Sequence, residues 1–597
     1  MNMKAHHVDL TKSGSDMDDD EALRYAIALS LKDHESRDEP AKSKASSSSS
    51  LPKPSSDSAT TGLLALDRKK MEAERLHRLA KRRRDVSSDD DVVQVPPPKR
   101  KAPSGLPNPP SLPPFANGVV KRTWARGYPR TSEDIKIEEV LQKDKLLLAV
   151  LSSFQWDEEW ILSKVNLGKT KLLLLAFAAD EAQVTPIRTS SFQTCKLTSH
   201  AMQKSVMRSN APPNIKFRFP AMNGPGSMHS KLQLLKYPDY LRVVVPTGNL
   251  VPYDWGETGV MENVSPSGRR RASACVLMVF LIDLPRLAQF AQHQPTPFST
   301  ELGRFLKATG VGEALIESLA NYDFSRTRHL RFVYTIPGGH LDGWKRIGYC
   351  GLGASVASLG LATSDPVKVD LVCASLGAIN SDLVGAMYKA CQGDDGMTEY
   401  NSRLSRATKA KAQRTTAHPL KDQFRIYFPT EQTVAQSRGG KMAAGTICVQ
   451  AKWWRAPSFP TELVRDCVNT REGLLMHSKM IFVRKTGQIS PGWAYIGSAN
   501  LSESAWGRLV KDRATGQPKM SCRNWECGVV IRVPRTKDVQ AGAGTRDDAS
   551  SASAGSSDLK VMDTNNMCVF EGTVPVPMQF PGRHYRETEE PWFYAQT

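Results

Sequence analysis

From Val119 onward the chain alternates short apolar runs with longer segments whose apolar positions recur at helical spacing. Lys145–Ser153, Lys171–Ala178, Leu241–Val245 and Ala274–Ile282 are rich in Leu, Val and Ile and too short for buried helices, so they read as strands. Thr300–Leu319 reads as an amphipathic helical segment. After about Gly338 the alternation starts again, with strand-like Val367–Cys373, Phe424–Phe428, Met480–Val483 and Ala494–Ile496. Strands alternating with helices predict an α/β protein layered around mixed sheets.

Residues 1–115 lack this periodicity. The serine run Ser46–Ser50 and the proline stretches Pro96–Pro98 and Pro109–Pro114 predict a disordered arm. Two islands interrupt it. Asp18–Asp33 has a helical pattern, and basic clusters stand at Arg68–Lys70, Lys81–Arg84 and Lys99–Lys101. Basic clusters in exposed sequence suit nuclear import, and the nucleus is the expected location. Ala541–Ser557 is rich in Ala, Gly, Ser and Asp and reads as a mobile insertion.

Length and charge narrow the function. At 597 residues the chain exceeds one core, so two domains plus extra segments are expected. A net charge of +19 favours a polyanionic partner, because each Lys or Arg near a phosphate releases counterions. No run of about 18 uncharged apolar residues occurs, so no membrane span is expected. Met1–Lys12 lacks the apolar core of a secretory signal. Ten cysteines without a Cys-x-x-Cys pair read as reduced thiols rather than a zinc site.

The chemistry lies in a repeated constellation. His229-Ser230-Lys231 is followed by an apolar strand and then Pro246-Thr247-Gly248-Asn249; His477-Ser478-Lys479 is followed by another and then Gly497-Ser498-Ala499-Asn500. His and Lys two apart on a strand share a face, and a neighbouring strand can return the Asn to it. Each copy therefore gathers an imidazole, an ammonium and an amide. A neutral imidazole can attack phosphorus, while ammonium and amide groups stabilise the oxygens of a phosphorane. Two facing copies supply a nucleophile and a general acid for in-line displacement, with surroundings expected to separate the two histidine pKa values.

These residues resemble the phospholipase D superfamily, whose usual signature is His-x-Lys-x4-Asp followed by Gly-Ser-x-Asn. Lys236 and Arg484 stand where that signature has Asp. Loss of both acids with retention of His, Lys and Asn resembles the tyrosyl-DNA phosphodiesterase branch. Asn249-Leu250 with Asp254-Trp255, Gly497–Ser502 with Ala505-Trp506-Gly507, Glu526–Val529, and Pro575-Val576-Pro577 ahead of Pro591-Trp592 are similar to it too. The resemblance implies two phospholipase D-like αβα sandwich domains in a pseudo-two-fold arrangement, spanning 119–337 and 338–597 after the arm. It implies that His229 forms a phosphohistidine and that His477 protonates the leaving phenolate and then activates water. Lys231, Lys479, Asn249 and Asn500 would bind phosphate oxygens, and Glu526 would orient His477. Val260 falls where the family has a partner for the first histidine, with Glu257, Glu262 and Asn263 nearby. Ser375 and Ser498 resemble substrate or DNA contacts.

The implied activity is hydrolysis of 3′-phosphotyrosyl and related adducts on DNA 3′ ends, with a topoisomerase I-derived peptide as leaving group. The implied enzyme acts as a monomer, without cofactor or metal. Other readings stay open: another phosphodiesterase of the superfamily, or a catalytically silent scaffold that binds DNA and ubiquitin. In the arm, Leu23, Ala26, Ile27 and Ser30 form one stripe behind Asp18–Glu21, and this pattern resembles a ubiquitin-interacting motif over residues 18–33.

Overall fold

The computed structural model describes residues 112–177, 208, 211–257, 275–408, 420–485, 491–533 and 566–593. Residues 1–111 of the expected arm, with its residue 18–33 helix and basic clusters, and the 541–557 insertion lie outside these residues. The described residues belong to one compact unit.

Two mixed sheets dominate it. The first contains β1 (Val119–Thr123), β2 (Asp134–Ile135), β3 (Leu148–Ser152), β4 (Lys171–Leu175), β5 (Ile215–Arg218), β6 (Gln233–Lys236), β7 (Tyr240–Pro246) and β8 (Met278–Pro285), in the order β2-β1-β8-β7-β6-β3-β4-β5. The second contains β9 (Leu330–Thr335), β10 (Val367–Val372), β11 (Phe424–Phe428), β12 (Val464–Asp466), β13 (Met480–Lys485), β14 (Trp493–Gly497) and β15 (Glu526–Arg532), in the order β9-β15-β14-β13-β10-β11-β12. The pairings repeat. In the first sheet β3, β4 and β5 are parallel, and β3, β6, β7, β8 and β1 then pair antiparallel in turn. In the second, β10, β11 and β12 are parallel, and β10, β13, β14, β15 and β9 continue antiparallel. Strand β9 precedes residue 338, the expected start of the second half, yet it pairs in the second sheet.

The expected strands all fall on these ladders, because continuous apolar runs suit strands buried on both faces. One core reaches across both sheets and includes Val150, Val243 and Phe280 with Leu371, Phe482 and Val529. A second core covers the opposite face of the first sheet around Leu151, Val244 and Trp255. Two expectations need revision. The run Ala274–Ile282 is split at Leu277, whose N–H bonds the hydroxyl of Thr123 while its carbonyl accepts the Thr123 N–H. Thr300–Leu319 is no single helix. A helix, α1 (Pro297–Ala308), starts at a Thr296 cap and stops before Gly310, at φ +75°, and Glu313–Glu317 then forms a separate turn.

Candidate active site

The two His-x-Lys segments do not lie within the ladders. His229–Lys231 forms an extended stretch just before β6, and His477–Lys479 does the same before β13. Both segments are stitched to the opposite half. Met228 bridges Trp525 in parallel, with His229 N–H donating to Trp525 O (3.1 Å) and Trp525 N–H to Ser227 O (3.0 Å). Leu475–Met476 pairs in parallel with Cys275–Val276. Gly226 permits the first contact, since a Cβ there would stand 1.9 Å from the carbonyl oxygen of Arg523. Gly248 serves the turn after β7: a Cβ would meet Leu277 at 2.5 Å and Asp254 Oδ2 at 2.9 Å.

This stitching crosses the acids. Glu526 Oε2 lies 2.9 Å from His229 Nδ1, whereas His477 Nδ1 lies 2.9 and 3.0 Å from the two carboxylate oxygens of Asp254. The expectation that Glu526 orients His477 is therefore corrected. Glu526 opens β15, directly after the Trp525 backbone that holds the His229 segment, and so it meets the first histidine. The expected neighbourhood of Val260 does not supply that partner: Glu257 is bound to Trp160 Nε1 and Lys164, and 260, 262 and 263 lie outside the described residues. Asp254 was not foreseen as a site residue. Its signal was present in the sequence, an acid five residues after Asn249 and beside Trp255. Its carboxylate also accepts the Asn249 N–H at 2.6 Å, while Trp255 Nε1 donates to Asn249 O.

The amides are held differently. Asn500 Oδ1 accepts the backbone N–H groups of Ala374 (3.2 Å) and Ser375 (3.1 Å), so its NH2 is the end left to donate. Asn249 Nδ2 donates to Gln155 Oε1 (3.1 Å), and its Oδ1 has no hydrogen-bond partner among the described residues. Tyr253 Oη donates to the same Gln155 oxygen. Ser375 thus sits at the site through its backbone. Ser498, expected to contact substrate, is fully buried; its hydroxyl donates to Glu526 and accepts the Cys527 N–H at 3.0 Å. It fixes the acid rather than facing substrate, another correction that burial explains.

Electrostatics follow from burial. Desolvation pushes the His229 pKa down to about 4 against the pull of Glu526, with Lys231 adding to the depression. His477 is likewise pushed down to about 4 by burial, opposed by Asp254. Burial thus lowers both histidines alike rather than separating them as expected, and both are neutral near pH 7. Desolvation lowers Lys231 to about 8 and holds Lys479 well below the ordinary lysine value, the latter with help from Lys231. Lys231 Nζ donates to His229 O (2.9 Å) and stands 3.4 Å from His229 Nε2, while Lys479 Nζ donates to Thr247 O (3.1 Å). Burial favours the neutral acid at Glu526, but His229, Lys231 and Ser498 outweigh it and hold the carboxyl below its usual range.

Two neutral imidazoles, each two residues from a desolvated lysine, offer nucleophilic nitrogen and the cations that could receive a tetrahedral anion. A wider cleft lies elsewhere, lined by Ser364, Asp382, Tyr388, Lys389, Glu399 and Gln423, and contains neither histidine. Among the described residues no group of His, Cys, Asp and Glu is arranged to hold a metal ion, and no helix is long and apolar enough to cross a membrane. The eight described cysteines form no disulfide with one another, and seven of them are buried.

The site can be set against known proteins. Residues 119–586 match the family described as tyrosyl-DNA phosphodiesterase. Tyrosyl-DNA phosphodiesterase 1 of Drosophila melanogaster is 26% identical over 316 residues, covering 51% of this chain and 50% of the fly protein. This chain thus spans about half the length of that curated relative. The crystal structure of the yeast tyrosyl-DNA phosphodiesterase superposes with a TM-score of 0.51 at 17% identity, covering 80% of this chain and all of the yeast chain. A mutant form of the yeast protein gives a TM-score of 0.51 at 17% identity, over 80% of this chain and 99% of the other. At such identity the yeast structures speak to the fold alone.

Proposed function

Because the chain belongs to the tyrosyl-DNA phosphodiesterase family, we propose that it hydrolyses the bond between a DNA 3′ phosphate and tyrosine, as on topoisomerase I-derived peptides, through a covalent phosphohistidine. The observation that carries this reading is the crosswise pairing of each buried histidine with an acid from the other repeat, His229 with Glu526 and His477 with Asp254. Such pairing fixes the proton on Nδ1 of each ring and turns Nε2 toward the reacting phosphate.

The reaction then runs in two displacements. Nε2 of neutral His229 attacks phosphorus; the N–P bond forms as the P–O bond to tyrosine breaks, and His477 gives its Nε2 proton to the leaving phenolate. Glu526 stabilises the positive charge that develops on the His229 ring. In the second displacement water attacks phosphorus, its proton passes to His477, and the P–N bond breaks to leave a 3′ phosphate. Lys231, Lys479, the NH2 of Asn500 and the second N–H of the Asn249 amide, whose first is given to Gln155, stabilise the non-bridging oxygens in both steps. Burial keeps His477 neutral near pH 7, and the incoming phosphodiester anion raises its proton affinity so that it enters as an acid. Both half-sites are in one chain, which supports a monomeric enzyme. The matching pairing order of the two sheets supports a pseudo-two-fold pair of phospholipase D-like units.

The deciding experiment is cleavage of a single-stranded oligonucleotide with a 3′-phosphotyrosine in EDTA. Conversion to the 3′ phosphate is expected, and none from folded protein would defeat the proposal. The same assay across pH has a signed outcome. The ammonium of Lys231 is charged below about 8 and loses its charge above it. Accordingly kcat/KM should decline above that pH, by about tenfold per unit once that limb is reached. A profile that stays flat well into the alkaline range would remove Lys231 from phosphate stabilisation.

A further inference from the structure

Two adjacent tryptophans stand beside the site, and only one has a structural task. In the short helix Ala451–Trp454, Trp454 packs on the shared core, against Phe459 (ring centroids 5.1 Å apart) and Tyr585 (5.6 Å). Trp453 belongs to no core cluster and has no ring contact with another aromatic among the described residues. It is half-buried, and it lines the catalytic cavity together with His229, Ser375, Gly377, Asn500 and Glu526. Its position is built: Ser375–Leu376 pairs in parallel with Cys448–Val449, and the helix follows directly. Lys452 Nζ lies 5.7 Å from the centre of its ring, placing a cation at the same rim.

A large flat ring outside the hydrophobic core, beside the candidate nucleophile and a cation, suits stacking against another flat ring. Two candidates flank the scissile phosphate, the 3′-terminal nucleobase and the tyrosine ring. In-line geometry decides between them. The leaving group departs opposite the nucleophile, on the side of its proton donor. Trp453 shares its cavity wall with His229 and Glu526, whereas His477 is absent from that wall. The ring therefore stands away from the departing phenol, which leaves the 3′-terminal nucleobase as its partner.

We propose that Trp453 is the stacking platform for the 3′-terminal nucleobase of the retained DNA strand. The proposal rests on the reading of His229 as nucleophile and His477 as acid, and it assigns a base subsite that is indifferent to base identity, because every base has a π-face.

The test is binding, so that it reads out whether or not turnover occurs. Oligonucleotides ending in a 3′ phosphate, with the terminal nucleotide either intact or abasic, are titrated against unaltered enzyme, Trp453→Ala and Trp453→Phe. Trp453→Ala should weaken binding of the intact end roughly tenfold, the order expected for one base–aromatic stack, and leave the abasic end unchanged. Trp453→Phe should retain most of the affinity for the intact end. An equal loss on both ends, or no loss on either, overturns the proposal. In a parallel cleavage assay, 3′-phosphotyrosyl ends are compared with 3′-phosphate esters of an aliphatic alcohol. A Trp453→Ala defect confined to tyrosyl substrates would assign the ring to the leaving group instead, also overturning it. Failure of the unaltered enzyme to cleave either would count against the phosphodiesterase reading, which the binding difference does not depend on.

Discussion

Replacing His477 with Asn should convert the enzyme into one that captures DNA and releases it slowly, with a covalent protein–DNA adduct visible on a denaturing gel. The two displacements need His477 unequally. A phenolate, from a group with pKa about 10, leaves tolerably without a proton, whereas water, with pKa about 15.7, is a poor nucleophile without a base. The first displacement therefore outlasts the loss of His477 better than the second does. General acid–base catalysis contributes about 10²–10⁴-fold, and most of that loss should fall on adduct hydrolysis. His229→Ala has the opposite signature: turnover drops on the order of 10⁶-fold, the scale seen when a nucleophile is removed, and no adduct forms. Pulse-labelled oligonucleotide with denaturing electrophoresis separates the two. Adduct in the His229 variant, or none in the His477 variant, would reverse or abolish the assigned roles.

The crossed acids make the second large prediction. Asp254→Asn and Glu526→Gln keep shape while removing charge, and each should lower turnover by about 10–100-fold, the usual scale for a residue that orients a reacting group. Their effects should divide by step. Asp254 holds His477, so its amide variant should slow adduct hydrolysis and let the adduct persist. Glu526 holds His229, so its variant should slow adduct formation and show little adduct at any time. Single-turnover kinetics reports both steps. An adduct that builds up in Glu526→Gln and not in Asp254→Asn would mean that the acids serve the histidines in the other order.

What could be read in the sequence was local. His229 and Lys231, or His477 and Lys479, are two residues apart, and a pleated backbone fixes their common side whatever surrounds them. Continuous apolar runs such as Met480–Val483 likewise announce a strand buried on both faces. The pairings of Asp254 with His477 and Glu526 with His229 span 223 and 297 residues. They depend on Met228 meeting Trp525 and Leu475–Met476 meeting Cys275–Val276, and no periodicity encodes contacts of that kind. Ser498 misled for a related reason: its motif neighbours reach the cavity, but its own side chain points behind the carboxylate it bonds. The histidine pKa values needed burial, which a residue's identity does not disclose. Asp254 was legible as a short-range pattern and only its role was not.

The crossing also bears on when the site is completed during the protein's own synthesis. The proposed nucleophile, His229, emerges from the ribosome early, but the carboxylate that bonds its ring is 297 residues farther along. An incomplete chain ending before Glu526 therefore presents the His229 imidazole with no acid behind it. A duplicated enzyme whose halves were each self-sufficient would carry a reactive nucleophile on every truncated copy. Here both oriented pairs are completed only when the two ends of the catalytic region have folded together.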